Sequence, residues 1–551
     1  MRTEALLEGK KHPDACTSKN EKKLPQPEVS AAFTILSPSK STEYFWLEQG
    51  VAHFLTRLLA YTNHFNMYNN NIAEEFRNLH QTEKGEENVT QDPVLLINKT
   101  LALFKPIDFR KEAGVNNSSD DLKRKDKIII CIDHLISKLE KSNFGITVRK
   151  GEVYLYNSQF WVALSEDLAL FYMGEAAERM AMPQLEAKHH HFRKEMLQQL
   201  ATSAFIPGID QESKFTLINL TNGTFSITKD RQFIRNFRKE DFMTYQLPFE
   251  YNPETQAPIW QSYLDKVLPD KSLQQLLKEY VGYCFTRNID FKLEKMLLLY
   301  GKGHNGKSVF HDVIIELFGR QNVTNFSLQD LTMDNGNSLA MSEGKLVNIS
   351  SEISTKVKPD RLKQLASGEP LKGKKLYKDV KTIYDYPRFI FNCNLLPVTI
   401  ENTDAFFRRF IIIPFEIKID NEERDIYLAR KIIEQELPGV LNWAIEGLRE
   451  LIMNEKFSKS SKADQALNTF VRNSDPVQLF LDDSGYIPSE KRILRNKLYK
   501  EFKTYCMDSG YQYISATMFY QQLRGLGICV PDSNSGGKRY AYVEVANKTV
   551  D

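Results

Sequence analysis

Apolar and polar positions change their spacing several times along the chain. Residues 1–43 are polar, rich in Lys, Pro and Ser, and predict a flexible lead-in. From 44 to 80, Phe45, Leu47, Val51, Phe54, Leu55 and Leu58 recur at helical spacing and predict a helical pair, followed by polar loops at 81–92 and 116–127. The run IIICIDH, 128–134, reads as a strand that ends at Asp133 and His134. GEVYLYNSQFWVAL, 151–164, alternates around a central turn and predicts a hairpin; a helix should start at Ser165. A second hairpin is expected around Asn222–Gly223, and 258–286 reads as helix broken near Pro269. From 295 the rhythm changes: MLLLY, KLVNIS and PRFIFNCN are short apolar runs separated by helical stretches, as in an α/β sheet, closing at RRFIIIPFEI, 408–417. Helices are expected at 421–435 and 437–453, then a polar linker at 456–475 and a compact unit from 476.

Length and composition narrow the class. A chain of 551 residues suggests about three to five domains. With 42% apolar and 26% charged residues the composition is that of a globular protein. The formal charge of only +2 means that any nucleic-acid surface must be local. The six cysteines, at 16, 131, 284, 393, 506 and 529, form no CxxC pair, which argues against a zinc ribbon and fits a reducing compartment. No apolar run has the length of a membrane span and the first residues lack a signal-peptide core, so an intracellular protein that engages no membrane is expected.

The candidate chemistry centres on GKGHNGKS, 301–308, which fits G-x-x-x-x-G-K-[ST] and stands between an apolar strand and a helix. Gly301, Gly303 and Gly306 let backbone N–H groups turn toward phosphates. Lys302, His304, Asn305 and Val309 complete the loop, Lys307 supplies a charge for the β/γ-phosphates, and the Ser308 hydroxyl is a candidate Mg²⁺ ligand. ATP and Mg²⁺ are therefore the expected cofactors. KLVNISSEI, 345–353, offers Glu352 beyond an apolar run to polarise water and help hold the metal, with Ser351 where an acid often stands. PRFIFNCN ends at Asn394, a candidate to orient water or sense the γ-phosphate, although Asn before a turn is common. The adjacent Arg408 and Arg409 read either as a solvated strand cap or as an arginine finger for a neighbouring subunit. Residues 355–381 hold nine Lys or Arg against three acids. At their centre a hairpin is expected, with Lys372, Lys374 and Lys375 around Gly373; it would grip phosphates without reading sequence, although a solvated charge run has the same pattern.

These motifs, with INLTNGTFSI, DFMTYQLPFEYNP, IWQSYLDKVLPD and LKEYVGYCFT before them and ELPGVLNWAIEGLREL after, resemble in content and order the superfamily 3 helicases, and within them the phage and plasmid primase-helicase family that includes the poxvirus-type relatives. The resemblance covers about 150–455. It implies a multidomain chain with an α/β P-loop AAA+-like ATPase core, a helical domain before it, and a homo-oligomer, usually a hexameric ring, that moves 3′→5′ on single-stranded or forked DNA. It also implies Lys307 and Ser308 at the phosphates and metal, Glu352 as catalytic acid, Asn394 as sensor, Arg409 as the likelier finger, and Lys372, Lys374 and Lys375 on DNA. The expected setting is the cytoplasm of a bacterial host, in a phage or mobile-element system. Many relatives carry a primase domain, but no D-x-D pair occurs in 1–150, so helicase without primase is expected, with a separate primase or initiator as partner.

The expected division is 1–43 lead-in, 44–127 helical region, 128–285 mixed domain, 286–455 ATPase, 456–475 linker and 476–551 C-terminal unit. In the last, 486–505 carries six basic and two acidic residues and reads as a helix; a second helix at 515–527 and a hairpin at 529–545 complete the order of a winged helix. Lys538 and Arg539 would then reach DNA phosphates from the wing. A protein-docking module of the same shape is the alternative. The rival functions are an origin-binding initiator and an AAA+ remodeller of protein–DNA complexes. The run His189, His190 and His191 is expected to diverge on a helix surface and to hold no metal.

Overall fold

The computed structural model describes residues 92–115, 122–206, 215–351, 357–375, 379–394, 403–532 and 537–545. The expected lead-in, the helical pair at 44–80 and Glu352 lie outside the described residues.

The first layer comprises α1 (Pro93–Leu101), α2 (Arg124–Lys141), an antiparallel sheet of β1 (Gly145–Arg149), β2 (Glu152–Tyr156) and β3 (Trp161–Leu164), then α3 (Glu166–Arg179) and α4 (His190–Ser203). The run at 128–134 is helix, not strand. Over the longer window Ile128, Cys131, Ile132, Leu135 and Leu139 are buried at the 3.6-residue period, and Asp133 is on the exposed face. Ser165 caps α3 as expected, its hydroxyl accepting Leu168 N. The three histidines do not diverge: His189 precedes α4, and the rings of the trio lie 4.0 to 5.6 Å apart. Among the described residues no cluster of His, Cys, Asp or Glu is arranged to hold a metal ion.

A second antiparallel sheet follows: β4 (Thr216–Leu220), β5 (Gly223–Ile227) and β6 (Gln232–Arg235). Its turn is one residue earlier than expected, because Leu220 pairs with Gly223, which is already strand. Gly223 has φ 145°, and a Cβ there would meet Arg235 O at 2.6 Å. Asn222 instead serves Tyr251, accepting its N–H at 3.0 Å and donating to its carbonyl at 2.9 Å.

The helices α5 (Pro258–Val267) and α6 (Lys271–Tyr283) break at Pro269 as expected. They pack on α9 (Leu428–Asn454), a single helix where two were expected, unbroken at Pro438. A proline inside a helix costs ~3 kcal/mol. Here Ile432, Val440, Leu441, Ala444 and Leu448 bury a continuous stripe that offsets it, at roughly 1.5–3 kcal/mol for each large apolar side chain. The α6–α9 crossing is close: a Cβ on Gly282 would lie 2.5 Å from Leu448 N and 2.6 Å from Ala444 O.

The central sheet has five parallel strands in the order β13, β7, β12, β9, β8. They are β7 (Met296–Tyr300), β8 (Val323–Thr324), β9 (Val347–Ser350), β12 (Arg388–Cys393) and β13 (Phe410–Pro414). Near-continuous apolar runs produce this because both faces are covered. Leu297, Leu299, Ile349, Ile390 and Ile413 face α7 (Lys307–Phe318), while Met296, Leu298, Phe389, Phe391 and Ile412 face a second core that includes Leu362 and Leu365 of α8 (Pro359–Ala366). A two-stranded hairpin, β10 (Leu371–Gly373) and β11 (Lys381–Ile383), projects between α8 and β12.

The expected linker is instead α10 (Ser461–Asn473) over most of its length. Phe470, 1% exposed, packs edge-on to Phe407 and Phe410 in the second core. The C-terminal unit runs α11 (Pro476–Ser484), β14 (Tyr486–Leu494), α12 (Arg495–Asp508), α13 (Ala516–Gly525) and β15 (Tyr540–Val545), with β14 antiparallel to β15. The first half of 486–505 is thus strand; the β-branched and aromatic positions Tyr486, Ile487 and Ile493 pair with Val545, Glu544 and Ala541. No described helix is long and apolar enough to cross a membrane.

Candidate functional site

Chain order in the central sheet reverses at β7: the chain leaves β7 for the far edge at β8, returns through β9 and β12, and ends on the other side at β13. A crevice outside the carboxyl ends of the strands at such a switch point is where open α/β sheets bind ligands. Because all five strands are parallel, Gly301, Ser351, Asn394 and Phe415 emerge at that one edge.

The loop 301–306 turns there into α7. Gly303 and Gly306 have φ of 99° and 84°, and His304 adopts 51°, an uncommon value for a residue with a side chain. Gly306 is the N-cap of α7, so the loop delivers the positive end of a 12-residue helix to the crevice. Lys307 is buried; its Nζ donates to Gly301 O at 2.5 Å and to Asn305 Oδ1 at 3.1 Å. Burial lowers its pKa, and the nearby Cys393 opposes that in part. The ammonium thus waits inside the loop on neutral oxygens, and an anion entering the cradle would recover the charge interaction that burial removes. Gly301 admits no side chain, since a Cβ would collide with Asn305 Nδ2 and sit 2.6 Å from Phe415 O.

Three contacts fix the loop from outside. Asn305 Nδ2 donates to Phe415 O at 3.0 Å, Ile419 N donates to His304 O at 2.7 Å, and Tyr263 OH donates to Gly306 O at 2.9 Å. Gly301 N also donates to Cys393 O at 3.1 Å, tying β7 to β12 beside Asn394. Sequence reasoning missed Tyr263, Phe415 and Ile419. The only sign of Tyr263 is its place in the apolar stripe Trp260, Tyr263, Leu264 and Val267, which reads as core.

The other predicted residues divide. Asn394 is exposed at the end of β12, at the same sheet edge as the loop. Asn392, two residues earlier, pairs with Leu299, and its Oδ1 is buried without a hydrogen-bond partner among the described residues. Arg409 is turned inward, 8% exposed. Its guanidinium donates to Lys363 O, Ala405 O and Ser367 Oγ, and lies 3.8 Å from Glu294. Arg408 is the outward member, exposed and 3.4 Å from the same carboxylate.

The lysine hairpin forms, but its turn is farther along than expected: Gly373 is in strand, paired with Lys381. Gly373 backs onto Gly336, where a Cβ would meet Lys372 O at 2.5 Å. Lys372 and Lys374 are exposed, with no ion-pair partner among the described residues. Lys375 Nζ lies 3.0 Å from Glu152 of β2, and Lys381 pairs with Glu343, which also meets Lys150 at 3.7 Å. In the C-terminal unit Lys538 and Arg539 are exposed just before β15. On α13, Arg524 is held by Val530 O and Asp532, whereas Lys497 and Lys500 of α12 are exposed.

Two stretches of the chain match known family models. Residues 133–269 match the family model described as "D5 N terminal like", and 299–409 match one described as a family of unknown function. No curated protein matches the chain. Among solved structures, "The A form apo structure of NrS-1 C terminal region-CTR" aligns with 74% of this chain and 97% of its own, at 15% identity and a TM-score of 0.43. "The apo structure of NrS-1 C terminal region (305-718)" aligns with 74% and 98%, at 13% identity and 0.38. Over 133–269, then, the chain is similar to the D5 N-terminal-like family.

Proposed function

We propose that the chain is an ATP-dependent DNA helicase of phage, prophage or plasmid-like replication, translocating 3′→5′ on single-stranded DNA as a homo-oligomeric ring with an AAA+-like core. The observation that carries this reading is the loop 301–308 at the switch point of a parallel sheet, with Lys307 buried inside it. The donor set fits a nucleoside triphosphate: a helix N-terminus, left-handed glycines in the loop, and one ammonium whose partners among the described residues are the neutral oxygens of Gly301 and Asn305. Lys307 would hold the β/γ-phosphates. Ser308, with Glu352, would hold Mg²⁺, which supplies charge neutralisation at the phosphates when bound. Asn394, at the end of the adjacent strand, would orient water. An arginine given to a neighbouring subunit would come from the 408–409 pair, and Arg408 is the one that already faces outward.

The DNA contact is assigned to Lys372, Lys374 and Lys375: a basic hairpin suits phosphates rather than bases, Lys372 and Lys374 are exposed on it, and Lys375 would exchange Glu152 for a phosphate. The C-terminal unit is read as a winged-helix-like DNA-binding module with Lys538 and Arg539 near the wing; the order helix, strand, helix, helix, strand supports this. The test is ATP hydrolysis with and without single-stranded DNA, on wild type, Lys307→Ala and the Lys372/Lys374/Lys375 triple alanine variant. The reading requires that DNA stimulates wild type, that Lys307→Ala is inactive, and that the triple variant keeps only basal turnover. If DNA changes no rate in any variant, the helicase reading fails.

A further inference from the structure

We propose that Tyr263 is a positioning residue for the phosphate loop: its hydroxyl sets the plane of the Gly306–Lys307 peptide, and α5 thereby ties the region before the ATPase core to nucleotide binding. The inference rests on the reading of 301–308 as a nucleotide site and assigns a role to a residue 43 positions away.

A trans peptide is planar, so its C=O and N–H point in opposite directions. The Gly306 carbonyl is directed into α7, where it accepts Val309 N at 2.9 Å and Phe310 N at 3.4 Å, and it also accepts the Tyr263 hydroxyl at 2.9 Å. The Lys307 N–H of the same peptide is therefore directed the other way, out of the helix N-terminus and toward the crevice, where an anion would sit. Turning that plane over means rotation about Gly306 ψ and Lys307 φ, and it would break both helix bonds at the Gly306 carbonyl. The Tyr263 hydroxyl favours one of the two orientations.

The surroundings make that hydroxyl a fixed point. Tyr263 is 4% exposed, and Val267, one turn on, lies 2.7 Å from where a Cβ on Gly306 would stand. Trp260, one turn earlier, stacks on Phe310 of α7 with ring centroids 5.9 Å apart. The helix is held at its start by Glu436 and near its end by an ion pair of Lys266 with Glu423 at 2.8 Å. Burial pushes the Tyr263 phenol far above its ordinary pKa, so it stays a donor throughout the working pH range.

Tyr263→Phe removes the donor and keeps the ring. A neutral hydrogen bond of this kind is worth about three- to tenfold in an equilibrium constant. In the full-length protein the KM for ATP should rise by about three- to tenfold with kcat within about twofold of wild type. Amide exchange at residues 306–309 without nucleotide should quicken by a similar factor, while the thermal midpoint stays put. Unchanged KM together with unchanged exchange overturns the proposal, as does a kcat that falls while KM holds. Lys307→Ala separates the two levels. If that variant binds and hydrolyses ATP like wild type, the nucleotide reading itself is wrong; the exchange comparison, which needs no nucleotide, still decides what Tyr263 does to the loop.

Discussion

Replacing Glu436 by alanine should loosen the helix that supports the phosphate loop, and the cost can be worked from the two backbone donors that the carboxylate satisfies. The first turn of α5 begins at Pro258, which has no N–H. Ile259 N donates to Glu436 Oε1 at 2.9 Å and Trp260 N to Glu436 Oε2 at 2.8 Å; Gln261 N then makes the first bond within the helix, to Ala257 O. One carboxylate, 5% exposed and carried by α9, thus satisfies both remaining orphan donors. Each charge-assisted bond is worth about 1.5–3 kcal/mol, and the buried Trp260 N–H would be left with no partner. Against this stands the desolvation of the carboxylate, which its removal relieves. A net loss of about 3 kcal/mol is expected for Glu436→Ala. Glu436→Gln should lose about half, because an amide offers one acceptor and turns its NH₂ against the other donor. Urea unfolding followed by tryptophan fluorescence, with amide exchange at 259–263, reads both. If Glu436→Ala unfolds within about 0.5 kcal/mol of wild type, the carboxylate's desolvation cancels its bonds and the capping account is refuted.

Two further outcomes follow from contacts outside the loop. Phe470→Ala should cost about 3–5 kcal/mol in equilibrium unfolding, because the ring is fully buried against Phe407 and Phe410; a loss under about 1 kcal/mol would return 461–473 to the status of a linker. Burial acts to raise the Glu152 carboxyl, but the hydrogen bond and charge of Lys375, with the charge of Lys381, outweigh it and hold the pKa below the ordinary range. A carboxylate with a depressed folded pKa contributes stability that is full above its unfolded value, about 4.3, and is lost as pH falls through the folded one. Both groups are partly exposed, so the effect is small. The unfolding midpoint of wild type should exceed that of Glu152→Gln at pH 7, and the gap should close in acid; a gap that widens as pH falls gives the wrong sign.

What was legible in the chain was local. The loop 301–308, its strand and its helix are contiguous, and so are the Ser165 cap and the break at Pro269; each rests on chemistry confined to a few residues. Misreadings arose where a short window hid a longer period or where distant partners decided. Three consecutive isoleucines at 128–130 look like strand until Leu135 and Leu139 extend the helical stripe. Pro438 looks like a stop until the face that α9 lays against α6 is counted. The polar tract at 456–475 conceals Phe470, whose partners Phe407 and Phe410 belong to another part of the chain. The same holds at the site. Tyr263 and Phe415 reach the loop from 43 and 110 residues away, and nothing in their own neighbourhoods marks them.

The arginine pair shows why spacing alone could not finish the assignment. Arg408 and Arg409 are adjacent and chemically identical, so their spacing does not tell them apart, and the choice of Arg409 rests on the family resemblance alone. The sheet does. Met296 N takes the carbonyl of Arg409 at 2.7 Å as β13 begins, which fixes the backbone at that position. The Arg409 guanidinium then spends its donors on Lys363, Ala405 and Ser367 within the chain. An arginine so engaged must break those bonds before it can reach a neighbouring subunit. Arg408 is exposed and, among the described residues, its guanidinium meets Glu294 at 3.4 Å, so it has fewer bonds to break. Recruitment of Arg409 to a neighbouring subunit would therefore cost its bonds to Lys363, Ala405 and Ser367, the first in α8 and the last directly after it.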